Sequence, residues 1–488
     1  MGKKTYFKYH IHLMIYLISS ILFAYYLDVS MLDDGLRHIS FANNIEIMHN
    51  WGEVFPNSLF GSYDPWYLWH KFLQIAIEIS SYEKVHILIN SIVLFLLLLL
   101  VDVHFRDKIK YDYASLTYII VLSIVYLSCH RYIMVRPDLL SGLYVIFMLT
   151  QKNRFILPLF ITLFYGPFYY LFFIYTGSIG LTYIIQRDWR SLFGTFLGSI
   201  IVLIIYLFTD KNGYIQTIIN ILNDQNLRMG LEVSEGTPLF SIFDNLSYYI
   251  LLPLFLICSF CVIYWKYEYF RKNSVATFLV ITSILWVNQI RYYILFLPLI
   301  VLFLTILILN LDKKLFFYRV RKILFFIKKY VSYSKKVKIF YIIAIPYTIF
   351  ALSYAFIGKS KNESLEKGRF YSQKEFSNKT ILFNSLHIDI YKALYFNPTI
   401  KTVPSCSIGW FDDKNKKMKD IYIRMQKDDG ISENELRELI DYVDADIYIH
   451  YLRNNNQILN FEKLKKLGIL PLKIYKNRII FEIEKKDE

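Results

Sequence analysis

Read for hydropathy alone, the chain is a succession of apolar runs separated by short polar breaks, until the runs stop near residue 358. The runs lie at about 11–27, 85–101, 114–130, 139–150, 155–166, 168–185, 191–208, 246–265, 275–289, 294–311 and 339–357. Many are roughly 17 to 22 residues long, the length that crosses a hydrocarbon core about 30 Å thick. The pattern predicts about eleven transmembrane helices, and hence a mainly α polytopic membrane protein. Within 155–185, Gly166-Pro167 predicts a turn between two short helices.

Past 358 the period changes. Short β-like runs occur at TILFNS (380–385), DIYIHYL (446–452), LPLKIYK (470–476) and RIIFEIE (478–484), with helical stretches between them. One such stretch starts at Ser432 with Glu435 three residues on, a capping-box spacing. The predicted organisation is therefore a multi-span part over 1–357 and a soluble α/β domain over 358–488. The latter shows no nucleotide loop, zinc cluster or hydrolase triad, so its chemistry does not disclose its role.

Composition agrees with the membrane reading. The 488 residues are 55% hydrophobic and 19% charged, too apolar for an ordinary soluble enzyme. The net charge is +15, of which the 24 Lys/Arg and 20 Asp/Glu after position 357 account for +4. The remaining basic excess falls between alternate runs: Arg106/Lys108/Lys110, Lys152/Arg154, Arg187/Arg190, Lys266/Arg271/Lys272 and the segment 313–338. By the positive-inside rule these loops and the amino terminus are cytoplasmic, in a cell membrane, and an odd number of spans puts the carboxyl-terminal domain outside. The charge thus reads as topology, not as a nucleic-acid partner. Four scattered cysteines imply no disulfide framework, and the Cys258/Cys261 pair lies inside an apolar run. Met1 to Leu27 has a basic start and no small-x-small cleavage site, so it is expected to remain as the first span. Two segments, 38–50 and 311–338, have the pattern of helices lying on a membrane surface.

Candidate chemistry begins at LDDGLRHISFANN (32–44), where Asp33 and Asp34 leave the first span. Ionised carboxylates near hydrocarbon need support. One reading makes them caps of the following helix, with Arg37 pairing nearby. The other makes one of them a general base, its proton affinity raised by its neighbour. The loops expected on the same side continue with GSYDPWYLWHKFL, an aromatic wall containing Trp66 and Trp69, then HRYIMVRPDLLSG with Arg136 and Asp138, then NQIRYYILFLPLI with Arg291. Arginines at such boundaries suit phosphoryl oxygens, although singly they also serve as interfacial anchors.

The order Asp33-Asp34-x-x-Arg37, Trp51-Gly52, Pro56 and Pro65-Trp66-x-x-Trp69, with the later Arg291-Tyr-Tyr and Pro298, resembles the GT-C superfamily of integral-membrane glycosyltransferases. The closest pattern is that of the protein O-mannosyltransferase and lipid A aminoarabinose transferase group. What the resemblance implies is a polyprenyl-phosphate sugar donor and inverting transfer to a glycan or lipid acceptor. Asp33 would be the base beside Asp34, with Arg291 on the phosphate side; Arg37, Trp66, Trp69, Arg136 and Asp138 would line the substrate site. The chain departs from the pattern in having Asp-Asp for Asp-Glu, and Tyr63-Asp64-Pro65 where relatives have Lys-Pro-Pro. Asp33, Asp34 and Asp138 offer hard oxygens for a divalent metal, but the expectation is no metal and no other cofactor. A surface-polysaccharide polymerase or ligase, a carrier of lipid-linked sugars and a non-catalytic scaffold are the rival readings.

Overall fold

The computed structural model describes residues 3–26, 35–43, 54–55, 64, 66–105, 135–137, 139–223, 274, 277–278, 281, 368–384, 387–403, 415–427, 430–452, 460–475 and 478–485. Helix α1 (Lys3–Tyr26) is followed by the short α2 (Gly35–Asn43), whose residues 35 to 42 are all buried. Helices α3 (Tyr67–Ser80) and α4 (Val85–Phe105) meet at a bend of 109°. At this corner Ser81 adopts a φ of 131°, and the first turn of α4 starts from its carbonyl, which accepts from the Val85 amide at 3.0 Å.

Four helices follow: α5 (Leu139–Thr150), α6 (Ile156–Tyr165), α7 (Phe172–Gln186) and α8 (Trp189–Asn223). A 3-10 turn at Gly166–Phe168 lies between α6 and α7, where Pro167 has no amide hydrogen to continue an α-helical ladder. Helices α6 and α8 run parallel and unusually close. A Cβ on Gly194 would stand 2.2 Å from the Phe155 carbonyl oxygen, and one on Gly198 would stand 2.9 Å from the Thr162 Cβ and 3.0 Å from the Leu159 oxygen. Gly194-x-x-x-Gly198 is the small-residue spacing that lets apolar helices touch backbone to backbone.

The expectation of a mainly α polytopic fold with about eleven spans is overturned. Among the described residues one stretch, Trp189–Thr209 of α8, is long and apolar enough to cross a membrane, or two if the bent α3–α4 pair is a single span. The carboxyl-terminal part adds a five-stranded sheet. The reason is length and packing. At 1.5 Å per residue the 12 residues of α5 extend only about 18 Å, and its Tyr144, Val145, Ile146 and Met148 are buried in protein. Hydropathy scores such core helices as it scores lipid-facing ones. The runs expected at 114–130, 246–265, 294–311 and 339–357 lie outside the described residues, and most of 275–289 does too.

The remaining elements are β1 (Thr380–Phe383), α9 (His387–Phe396), β2 (Lys401–Thr402), α10 (Lys416–Lys427), α11 (Glu433–Val443), β3 (Ile447–Tyr451), α12 (Phe461–Lys466), β4 (Ile469–Tyr475) and β5 (Arg478–Ile483). The sheet order is β2-β1-β3-β5-β4. Strand β1 is parallel to both neighbours, and β5 is antiparallel to β3 and β4. Helix α11 starts at the capping box: the Ser432 hydroxyl accepts from the Glu435 amide at 3.3 Å while the Glu435 carboxylate accepts from the Ser432 amide at 2.8 Å.

Alternation along the strands sorts side chains onto two faces. Leu382, Tyr448, Phe481 and Ile483 pack with Tyr422, Leu436 and Leu439 of α10 and α11. Ile381, Phe383, Ile449 and Ile480 pack with Tyr391 and Leu394 of α9. That second cluster is continuous with the core of the amino-terminal helices, because α9 lies against α2. Residues before 357 and after 358 therefore share one core. Tyr82 reinforces the seam, donating its hydroxyl hydrogen to the Tyr395 carbonyl at 2.6 Å and stacking on the Tyr395 ring at 4.6 Å.

Gly194→Ala should lower the melting temperature by a shift corresponding to about 1–3 kcal/mol, since the blocking atom is backbone. Gly177→Ala, whose Cβ would meet nothing within 4 Å, should be neutral or slightly stabilising. Thermal unfolding of the two variants checks the contrast, and equal melting temperatures would refute the close-packing account.

Candidate functional site

The α2–α3–α9 seam holds the densest buried polar cluster of the described amino-terminal part. It is set by two short-range features. Asp64 folds back on the start of α3, its Oδ1 accepting the Trp66 amide at 2.9 Å, which is the usual local bonding of an aspartate before a helix. His70 lies one turn into α3 and donates through Nδ1 to Asp64 Oδ2 at 2.7 Å. From α2, His38 Nδ1 reaches His70 Nε2 at 2.8 Å, and Arg37 Nη2 stands 3.4 Å from His38 Nε2.

The direction of every proton in this chain is fixed by its ends. A guanidinium can only donate and a carboxylate can only accept. Arg37 therefore donates to His38 Nε2, His38 Nδ1–H donates to His70 Nε2, and His70 Nδ1–H donates to Asp64. His38 is neutral in this arrangement. Burial, and then the positive charge of Arg37, hold the His38 pKa well below the ordinary histidine value.

Arg37 is 1% exposed. Its guanidinium lies 4.7 Å from the Trp66 ring centre and 5.3 Å from that of Tyr391, and Nη1 donates to the Tyr391 hydroxyl at 3.3 Å. The cation thus joins a tryptophan of the amino-terminal part to a tyrosine of the carboxyl-terminal part. Trp69, fully buried, donates its indole hydrogen to the Val135 carbonyl at 3.2 Å. This bond ties α3 to the segment carrying Arg136, whose charge acts on His38. The chain matches no family model and no curated protein.

Of the residues singled out from sequence, Arg37, Trp66, Trp69 and Arg136 are brought to this one locus. Asp33, Asp34, Asp138 and Arg291 lie outside the described residues, so the acid pair and the hard-oxygen set it would form with Asp138 lie there too. The sequence reading missed His38, Asp64, His70 and Tyr391. The first three sit inside the segments already quoted, and two histidines within an apolar, aromatic stretch were the available signal. Tyr391 had none, because only the fold brings it within reach.

A second buried network lies at the carboxyl ends of the parallel strands β1 and β3. Asn384 Oδ1 accepts the Tyr451 amide at 2.6 Å, and its Nδ2 lies 2.9 Å from His450 Nδ1. Nearby, Arg478 lies over the rings of Tyr451 and Tyr371 and pairs with Asp389 at 3.5 Å. These groups fasten β5 and α9 to β1 and β3.

A neutral buried His38 predicts a specific pH response. The unfolded chain takes up a proton near pH 6.5 and the native state does not, so stability falls as the pH drops below about 6.5, by up to about 1.4 kcal/mol per pH unit. Comparing melting temperatures at pH 7.5 and 5.5, the decrease should be larger for the wild type than for His38→Gln. Equal decreases in the two proteins would show that His38 is not held neutral.

Proposed function

We propose that the chain is a glycosyltransferase that moves a sugar from a polyprenyl-phosphate donor to a glycan or lipid acceptor, with Asp33 as general base. The observation that carries this reading is the convergence of Arg37 and Arg136 with Trp66 at a seam directly after the acid pair in the chain. An inverting displacement needs a proton acceptor on one side of the sugar carbon and stabilisation of a departing phosphate on the other. The two guanidinium groups supply the second requirement, and the desolvated surroundings of Arg37 strengthen its pull on an anion. Trp66 offers an aromatic surface of the kind that lines ligand sites.

The neutral state of His38 matters to this reading. A protonated imidazole beside two arginines would make a third cation in a small buried volume, and the Asp64–His70–His38 chain removes that charge without removing the hydrogen bonds. Phosphate met by guanidinium requires no metal, so the proposal includes no cofactor. Arg291, the phosphate-side arginine of the resemblance, belongs to the same proposal.

Three outcomes test it in a transfer assay with a polyprenyl-phosphate sugar. Asp33→Asn should abolish transfer while expression and membrane insertion are retained. Arg136→Ala should raise the donor KM by about tenfold or more, the loss of a charged hydrogen bond, and change the acceptor KM little. Arg291→Ala should impair donor binding in the same sense. Wild-type turnover by Asp33→Asn would refute the base assignment, and an unchanged donor KM in both arginine variants would refute the phosphate site.

A further inference from the structure

The start of α8 and the segment before α6 enclose an open cleft of about 920 Å³, far in sequence from the Arg37 seam, lined among others by Arg154, Ile156, Trp189, Arg190 and Phe193. One acid holds the two segments that line it together. Asp188 accepts the Ser191 amide through Oδ1 at 3.1 Å and the Asn153 amide through Oδ2 at 2.9 Å, capping α8 and pinning the preceding loop against it. The Arg154 amide donates to the Ser191 hydroxyl at 3.3 Å on the same joint. The cations that line the cleft are Arg154 and Arg190, both exposed. Among the described residues no carboxylate forms an ion pair with Arg154 or Arg190.

Two apolar stripes begin in this cleft. On α6 the exposed large apolar residues are Ile156, Phe160 and Phe164, each four apart; on α8 they include Phe193, Phe196, Ile200, Leu203 and Ile204, at three-and-four spacing. Only 28% of the Trp189–Thr209 stretch is buried. Trp189, 62% exposed, sits where the arginine pair meets the apolar stripes, the place that interfacial tryptophans occupy at a membrane surface. Cations, an interfacial indole and an apolar face thus follow one another along a single axis.

We propose that this cleft binds the phosphate of an anionic phospholipid, held by Arg154 and Arg190, with an acyl chain lying along the exposed face of α8. Arginine suits the phosphate because its fork can meet two oxygens at once. The occupant is a lipid and not a free anion, because the arginine pair opens directly onto an apolar face that a soluble phosphate would leave uncovered. The inference does not rest on the transferase reading.

The test uses the full chain reconstituted in phosphatidylcholine bilayers doped with brominated phosphatidylglycerol or brominated phosphatidylcholine. The Trp189 signal is the difference in fluorescence quenching between wild type and Trp189→Phe. Half-maximal quenching of that signal should come at an at least about fivefold lower mole fraction of the anionic lipid, the preference that roughly one arginine confers at an anionic surface. Arg154→Gln/Arg190→Gln should abolish the preference, and Arg154→Lys/Arg190→Lys, which keeps both charges, should retain at least half of it. Equal quenching by the two lipids in the wild type, persistence of the preference in the glutamine variant, or its complete loss in the lysine variant would overturn the proposal. Loss of the preference on adding inorganic phosphate would assign the cleft to a free anion and overturn the lipid assignment.

Discussion

A guanidinium almost wholly removed from water must be compensated by hydrogen bonds and polarisable neighbours, or the fold that buries it is lost. Arg37 meets that requirement with groups from three places: Trp66 at the head of α3, Tyr391 on α9 and His38 beside it on α2. No one of these elements supplies enough by itself. The amino-terminal helices and the carboxyl-terminal sheet are therefore coupled through a cation that is tolerable only when both are in place. Each desolvated cation–π contact is worth about 2 kcal/mol, so the two rings together offset a substantial part of the desolvation. The histidine chain then lets the cation donate inward without placing a second positive charge beside it.

The sheet depends on this seam from the other side. Strand β3 is buried along its whole length, one face on α9 and the other on α10 and α11. A central strand covered on both faces needs both layers. The layer containing α9 continues into α2, so the amino-terminal helices complete the cover that the carboxyl-terminal part begins. Arg478, buried over Tyr371 and Tyr451 and paired with Asp389 of α9, holds that helix two residues from the Arg37 contact at Tyr391. Two buried arginines thus hold the first half of α9, one from each part of the chain.

What could be read in the sequence follows the range of the interaction concerned. The strand runs at 380–383, 447–451, 469–475 and 478–483 and the Ser432–Glu435 capping box are local patterns, and they appear where alternation and spacing put them. The break at Gly166-Pro167 is likewise local. Strand β2, two residues long, carries too little pattern to be seen. The span count failed because hydropathy measures removal from water and is silent on what replaces it. For α5 the replacement is other side chains; for α8 it is largely an open face. At the candidate site, Arg37, Trp66, Trp69 and Arg136 were visible because charge or aromaticity stands out in an apolar background. Tyr391 was not, because its meeting with Arg37 across 354 positions is a product of the tertiary fold alone.

The contrast between α5 and α8 also bears on how the two arginine-rich places divide their work. At the seam Arg37 is buried and covered by aromatic rings, Arg136 is half-buried, and His38 is kept neutral, so an anion entering there would meet concentrated positive potential in a medium of low dielectric. At the α8 cleft the arginines are exposed, and solvent screening leaves each worth only about 1 kcal/mol toward an anionic surface. The first environment is suited to stabilising charge that develops on a bound group, the second to holding the protein against a charged interface. The close packing of α6 on α8 at Gly194 and Gly198 makes the second possible, since it keeps both apolar stripes parallel and starting from one end. A substitution that pushed these helices apart would disperse the cleft's cations before it disturbed the buried seam, because the seam is secured by α2, α3 and α9 and not by α6 or α8.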